Sequence, residues 1–183
     1  MDETAVREKS SYDTSPRKGG ERREMDYFLF GGPANVGKTE AIARLAHYLL
    51  NRGFQVIQNN VPSIRNPQPD FCVLLEGLNS KKQNKRIIVN SKADEKQNID
   101  DLVIFCQNNP HGIVISSIRS ECYSIRDYFL TKIEIGQKDF VMELPMASIN
   151  PKSKTDFLQM CKWYKDKIDN IANTLLSNHP FYI

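Results

Sequence analysis

No apolar stretch in these 183 residues approaches the ~20 that a membrane-spanning helix requires, which argues against a helical membrane protein. An apolar signal-peptide core is missing as well. Met1-Asp2-Glu3 opens a polar segment, and a cytoplasmic protein is expected. Cysteine is scarce, and Cys72, Cys106, Cys122 and Cys161 lie far apart with no CxxC and no adjoining His pair. That spacing speaks against a disulfide framework or a zinc site and for reduced thiols. The three histidines, His47, His111 and His179, are scattered and receive no role. An excess of one charge is lacking too: 25 basic against 22 acidic side chains leave +3, too little for a nucleic-acid footprint. The densest basic run, from Lys81 to Arg86, reads as a solvated connection between strands, with a phosphate-backbone contact as the weaker alternative. No internal repeat is found. What is present, 40% hydrophobic and 26% charged residues, is the composition of one ordinary domain.

The informative segment is Gly32-Pro-Ala-Asn-Val-Gly-Lys-Thr39, which matches GxxxxGK[ST]. Its flanks suit it. Tyr27-Phe28-Leu29-Phe30 is a short apolar run of the kind a buried parallel strand needs, broken by Gly31-Gly32. Ile42, Leu45, Ala46 and Leu49 then recur at helical spacing, and Gly53 can end that helix. Gly32 and Gly37 permit positive φ and a close approach of backbone N–H groups to phosphate oxygens, and the helix that starts near Lys38 adds its dipole. At this point the chain resembles the P-loop NTPase superfamily, well over about residues 26–60 and in outline elsewhere. The resemblance implies a three-layer α/β sandwich with a mostly parallel central sheet. It also implies ATP and Mg²⁺ as cofactors: Lys38 on the β- and γ-phosphates, Thr39 on the metal, and Gly32, Asn35, Val36, Gly37 and Glu40 in the phosphate-binding segment.

Residues 1–25 carry six acidic and six basic side chains with Pro16 and Gly19-Gly20, the composition of a flexible charged tail and a candidate docking segment for a protein partner or a second copy. The nucleotide-binding domain is expected from 26 to 183. Strands are predicted at 54–58, 71–75, 86–89, 112–115 and, at an edge, 140–144. Helices are predicted around 99–106 and 127–132, and a long amphipathic C-terminal helix carries Phe157, Met160, Cys161, Tyr164, Ile168, Ile171 and Leu175, with Trp163 and Tyr164 as packing anchors. Strands 71–75 and 86–89 are either an antiparallel hairpin or joined by a direct crossing, and the Asn59–Asp70 connection leaves room for a substrate or switch region.

A P-loop site also needs an acid to organise metal and water, ordinarily at the end of a buried strand. Glu76, after Val73-Leu74-Leu75, has the closest form. Asp94 and Glu121 follow other strand candidates, although Asp94-x-x-Gln97 also has the spacing of a helix cap. Arg119 and Arg126, seven apart, fit a lid that neutralises phosphoryl charge, as small P-loop kinases use, or an ordinary solvent-facing helix. Asn90-Ser91-Lys92-Ala93-Asp94 is similar to the guanine-reading NKxD of GTPases with one residue too many. Three functions stay open: an ATPase or small-molecule kinase acting through Lys38, Thr39, an acid and Arg119; a GTP-dependent switch; and a nucleotide-binding subunit of a larger assembly.

Overall fold

The computed structural model describes residues 24–59, 70–120, 124–149 and 153–183. Six strands and four helices follow the order β1 (Asp26–Gly31), α1 (Lys38–Asn51), β2 (Gln55–Asn59), β3 (Cys72–Leu78), β4 (Asn84–Asn90), α2 (Lys96–Asn108), β5 (Ile113–Ile118), α3 (Ser124–Ile133), β6 (Phe140–Pro145) and α4 (Lys154–Leu176). The strands form one sheet in the order β2-β3-β4-β5-β1-β6. Its β4-β5-β1-β6 portion is parallel, whereas β2 and β3 pair antiparallel at one end.

The pleat explains the layering. In β1, Phe28 and Phe30 point to one face, where they join Ala41, Ile42, Leu45, Ala46 and Leu49 of α1 and Ile168, Ala172 and Leu176 of α4. Tyr27 and Leu29 point to the other, against Ile99 and Leu102 of α2 and Phe129 of α3. Helices therefore cover both faces, and each fully buried large side chain contributes about 1.5–3 kcal/mol relative to exposure. The apolar run of β1 needed no alternation because neither of its faces meets water.

Chain direction places a crevice at one rim of the sheet. From β1 the chain passes through α1 on one face towards β2, while from β5 it passes through α3 on the opposite face to β6. The adjacent strands β1 and β5 thus send their connections apart, and a crevice opens beyond their carboxyl ends.

Several expectations change. Met25 is buried and its N–H donates to Asp139 Oδ1 (3.0 Å), so the domain begins before residue 26; the rest of the expected tail, residues 1–23, lies outside the described residues. In α4 the buried line is Ile168, Ala172 and Leu176, while Phe157, Met160 and Ile171 are exposed. Trp163 is 62% exposed and is no packing anchor; Tyr164 does pack, its hydroxyl accepting from Ala147 N (2.7 Å). Of the basic run Lys81–Arg86, residues 81–83 form an exposed turn, as expected, whereas Asn84, Lys85 and Arg86 are half-buried in β4; the turn closes an antiparallel hairpin.

Candidate functional site

The segment after β1 is held open by backbone conformation. Gly32 (φ 153°), Asn35 (φ 60°) and Gly37 (φ 88°) take positive φ, and Gly32 N–H donates to Ile118 O (3.2 Å), tying the loop to the end of β5. At Gly32 space also matters, because a Cβ would fall 2.7 Å from the Met146 carbonyl oxygen. Gly37 is the N-cap of α1, and its carbonyl accepts the first helical bond from Ala41 N (2.9 Å). The N–H groups of Lys38, Thr39 and Glu40 consequently have no helical acceptor.

Lys38 is only 6% exposed, and its ammonium donates to Gly32 O (3.0 Å) and Pro33 O (2.6 Å). Both partners are neutral. Among the described residues no carboxylate stands at ion-pair distance from it. Burial pushes its pKa below the ordinary lysine value, with Asp94 opposing that shift and Arg119 adding to it. Buried charges are ordinarily paired with an opposite charge, and here two carbonyl oxygens partner this one instead.

The neighbouring side chains form a linked set. Thr39 Oγ1 lies 3.4 Å from Asp70 Oδ1 and 3.5 Å from Ser91 O. Ser91 Oγ accepts from Phe71 N (3.0 Å), and Ser91 N donates to Phe71 O (2.9 Å). Ser117 donates its hydroxyl to Ser91 O (3.1 Å). Of these residues Thr39, Ser91 and Ser117 border a cleft of about 540 Å³, lined also by Asn35, Gly37, Lys38, Glu40, Ala43, Arg44, His47 and Asp94.

The expected site residues divide. Lys38, Thr39, Glu40, Asn35, Gly37 and Asp94 meet at this cleft, and Arg119 reaches it through an ion pair with Asp94 (3.0 Å). Asp94 is not a helix cap: α2 starts at Lys96, Glu95 is its N-cap, and no side chain caps it. Val36 does not line the cleft; its side chain packs on the core beside Gly32. Glu40 accepts from Lys165 Nζ (2.6 Å), which fastens the start of α1 to α4.

Glu76 does not belong to the site. Because β3 runs antiparallel to β4, Glu76 lies opposite Arg86, four rungs from the Cys72–Asn90 pair at the rim. There it accepts from Asn84 Nδ2 (2.6 Å) and pairs with Arg86 (3.3 Å). The same reversal brings Asp70, two residues before β3 and not singled out in the sequence, to 3.4 Å from Thr39 Oγ1. The short Asn79–Gln83 connection carried the signal, since it cannot hold a crossover helix and so implies a reversed strand. Arg126 pairs with Glu143 (2.6 Å) and donates to Arg119 O (3.0 Å), bracing that backbone from outside the cleft. Asn90 is likewise internal, its amide donating to Ser116 Oγ (3.0 Å) and Lys92 O (2.8 Å). Glu121 lies outside the described residues.

No protein-family model matches the chain, and neither the curated proteins nor the solved structures contain a match.

Proposed function

We propose that this protein is a Mg²⁺-dependent P-loop protein that binds a nucleoside triphosphate, ATP by preference, and hydrolyses it or transfers its terminal phosphoryl group to a small acceptor. One observation carries the reading: the ammonium of Lys38 is buried at a helix N-terminus against two carbonyls of the GxxxxGKT segment, with no counter-anion among the described residues. A polyphosphate supplies the missing negative charge. The positive-φ backbone at Asn35 and Gly37 and the free N–H groups opening α1 suit its oxygens.

The metal fits the donors present. Thr39 presents a hydroxyl oxygen to the cleft, a hard ligand of the kind Mg²⁺ takes. When bound there, Mg²⁺ supplies charge neutralisation to the phosphate oxygens. On this reading Lys38 would turn from the loop carbonyls to the phosphates, whose negative charge would oppose the effect of burial on its pKa. Arg119, 16% exposed at its side chain, stands one ion pair away from the same charge. Catalysis on this reading is positioning and charge neutralisation, with no covalent intermediate on the protein.

The test is calorimetric titration with ATP and with GTP, each with Mg²⁺, on the wild type and on Lys38→Ala. The expected outcome is ATP binding in the wild type and an affinity lower by about tenfold or more in the variant, with the melting temperature kept. Equal ATP binding by both proteins overturns the reading.

A further inference from the structure

We infer that a second copy of this chain docks on the β6 edge, strand against strand and antiparallel, so that the sheet runs on across a twofold axis with the two α4 helices side by side. This surface shares no residue with the lining of the cleft. The sheet has two open edges, β2 and β6, and they differ. The β2 edge is broken by the shift of register between Val56 and Gln58, an irregularity that blunts pairing with another strand. β6 follows β1 without a break from Phe140 to Pro145 and pairs with no other strand among the described residues. Phe140 N donates to Met25 O (3.0 Å) and Met146 N to Gly31 O (2.6 Å), so every second N–H of the strand is used by β1. The N–H and C=O groups of Val141 and Glu143 therefore face outward. About an axis through Met142 they are self-complementary. Val141 of one copy exchanges both hydrogen bonds with Glu143 of the other, and the reverse pair closes on the far side of the axis. Pro145, the next outward position, has no N–H to leave unpaired.

Helix α4 supplies the area. It lies along β6: the Tyr164 hydroxyl accepts from Ala147 N (2.7 Å) just past the strand, and Phe181, after the helix, meets Phe140 at the strand's start (5.8 Å between ring centroids). Lys165 and Asp169 turn to α1, where they hold Glu40 and Arg44. On the side away from them, at helical spacing, Met160, Trp163, Lys167 and Ile171 are exposed, Trp163 to 62%. With Phe140 and Val141 these side chains present roughly 400 Å² of apolar surface, the size of patch that marks an interaction site. The strand backbone and the lysine stem add to it, towards the 800 Å² or so that each partner gives to an ordinary interface. Trp, Phe and Met are the residue types that concentrate in such interfaces. A net charge of only +3 puts little repulsion between two copies.

The experiment is sedimentation equilibrium of the full chain and of Val141→Pro, Trp163→Lys and, on the other edge, Ile57→Lys, each checked for an unchanged far-ultraviolet CD spectrum. Val141→Pro removes an outward N–H that β1 does not use, a position where an edge strand tolerates proline. Trp163→Lys alters only the helix surface and carries the test should the proline variant fail to fold. The expected mass is twice that of one chain for the wild type and for Ile57→Lys at micromolar concentration. Val141→Pro and Trp163→Lys should each raise the dissociation constant about tenfold or more. A wild-type chain that stays monomeric throughout the micromolar range overturns the inference. So does a dimer that Val141→Pro and Trp163→Lys both leave intact, whatever Ile57→Lys does.

Discussion

Single side chains in this protein record the cost of partial burial on charge. Asp26, the first residue of β1, has its carboxyl raised above the ordinary 3.8, chiefly by burial; Lys85 and His179 oppose the shift, and Asp139 and Glu24 add to it. A raised folded-state pKa means that the native protein retains a proton the unfolded chain has already released. Between 3.8 and the folded value, stability accordingly falls as pH rises, and the penalty is complete above that window. Asp26→Asn should raise the melting temperature at pH 7, and the gain should vanish as pH falls towards 3.8. Thermal melts of both proteins across that range check it; a gain independent of pH refutes the burial account. Burial also holds the Cys72 thiol far above its usual pKa, so that it stays protonated and inert at neutral pH.

Elements set the site, and two ion pairs hold α4 to the helix that carries Lys38. Arg44 donates to both oxygens of Asp169 (2.6 and 2.9 Å), and Lys165 reaches Glu40. The Arg44 pair is partly exposed but bidentate, and Asp169→Ala should cost about 1 kcal/mol. A fall of about 3 °C in melting temperature is the corresponding readout. These contacts also explain which stripe of α4 faces inward. Phe157, Met160 and Ile171 lie at helical spacing as regularly as Ile168, Ala172 and Leu176 do, and periodicity alone does not choose between two stripes on one helix. By contrast β1, the glycine-bearing turn after it and α1 were legible because strand length, glycine positions and helical spacing are all local. Which carboxylates reach the rim was not. A parallel sheet presents the ends of its strands there; the reversal of β3 presents its beginning instead, with Asp70 two residues before it, and removes Glu76 to the other end.

For the molecule as a whole, the sheet is protected unevenly. β5 is buried at every position and β1 at all but its first, whereas β2 is exposed along its length and closes one edge with a shift of register between Val56 and Gln58. Native-state hydrogen exchange should be slowest for the amides of β1 and β5 and faster by orders of magnitude in β2. Equal protection across the six strands would contradict that ranking.

The central place of β1 has a consequence for synthesis. Its partners are residues 113–118 and 140–145, at least 87 positions further along the chain. On the ribosome, Tyr27 to Phe30 have no strand to pair with until those later segments emerge, although the β3–β4 hairpin can close at once through a local turn. The Gly32–Thr39 segment leaves β1 directly and is tied to β5 through Gly32 N–H and Ile118 O (3.2 Å), so it acquires its shape only once residues 113–118 have been made.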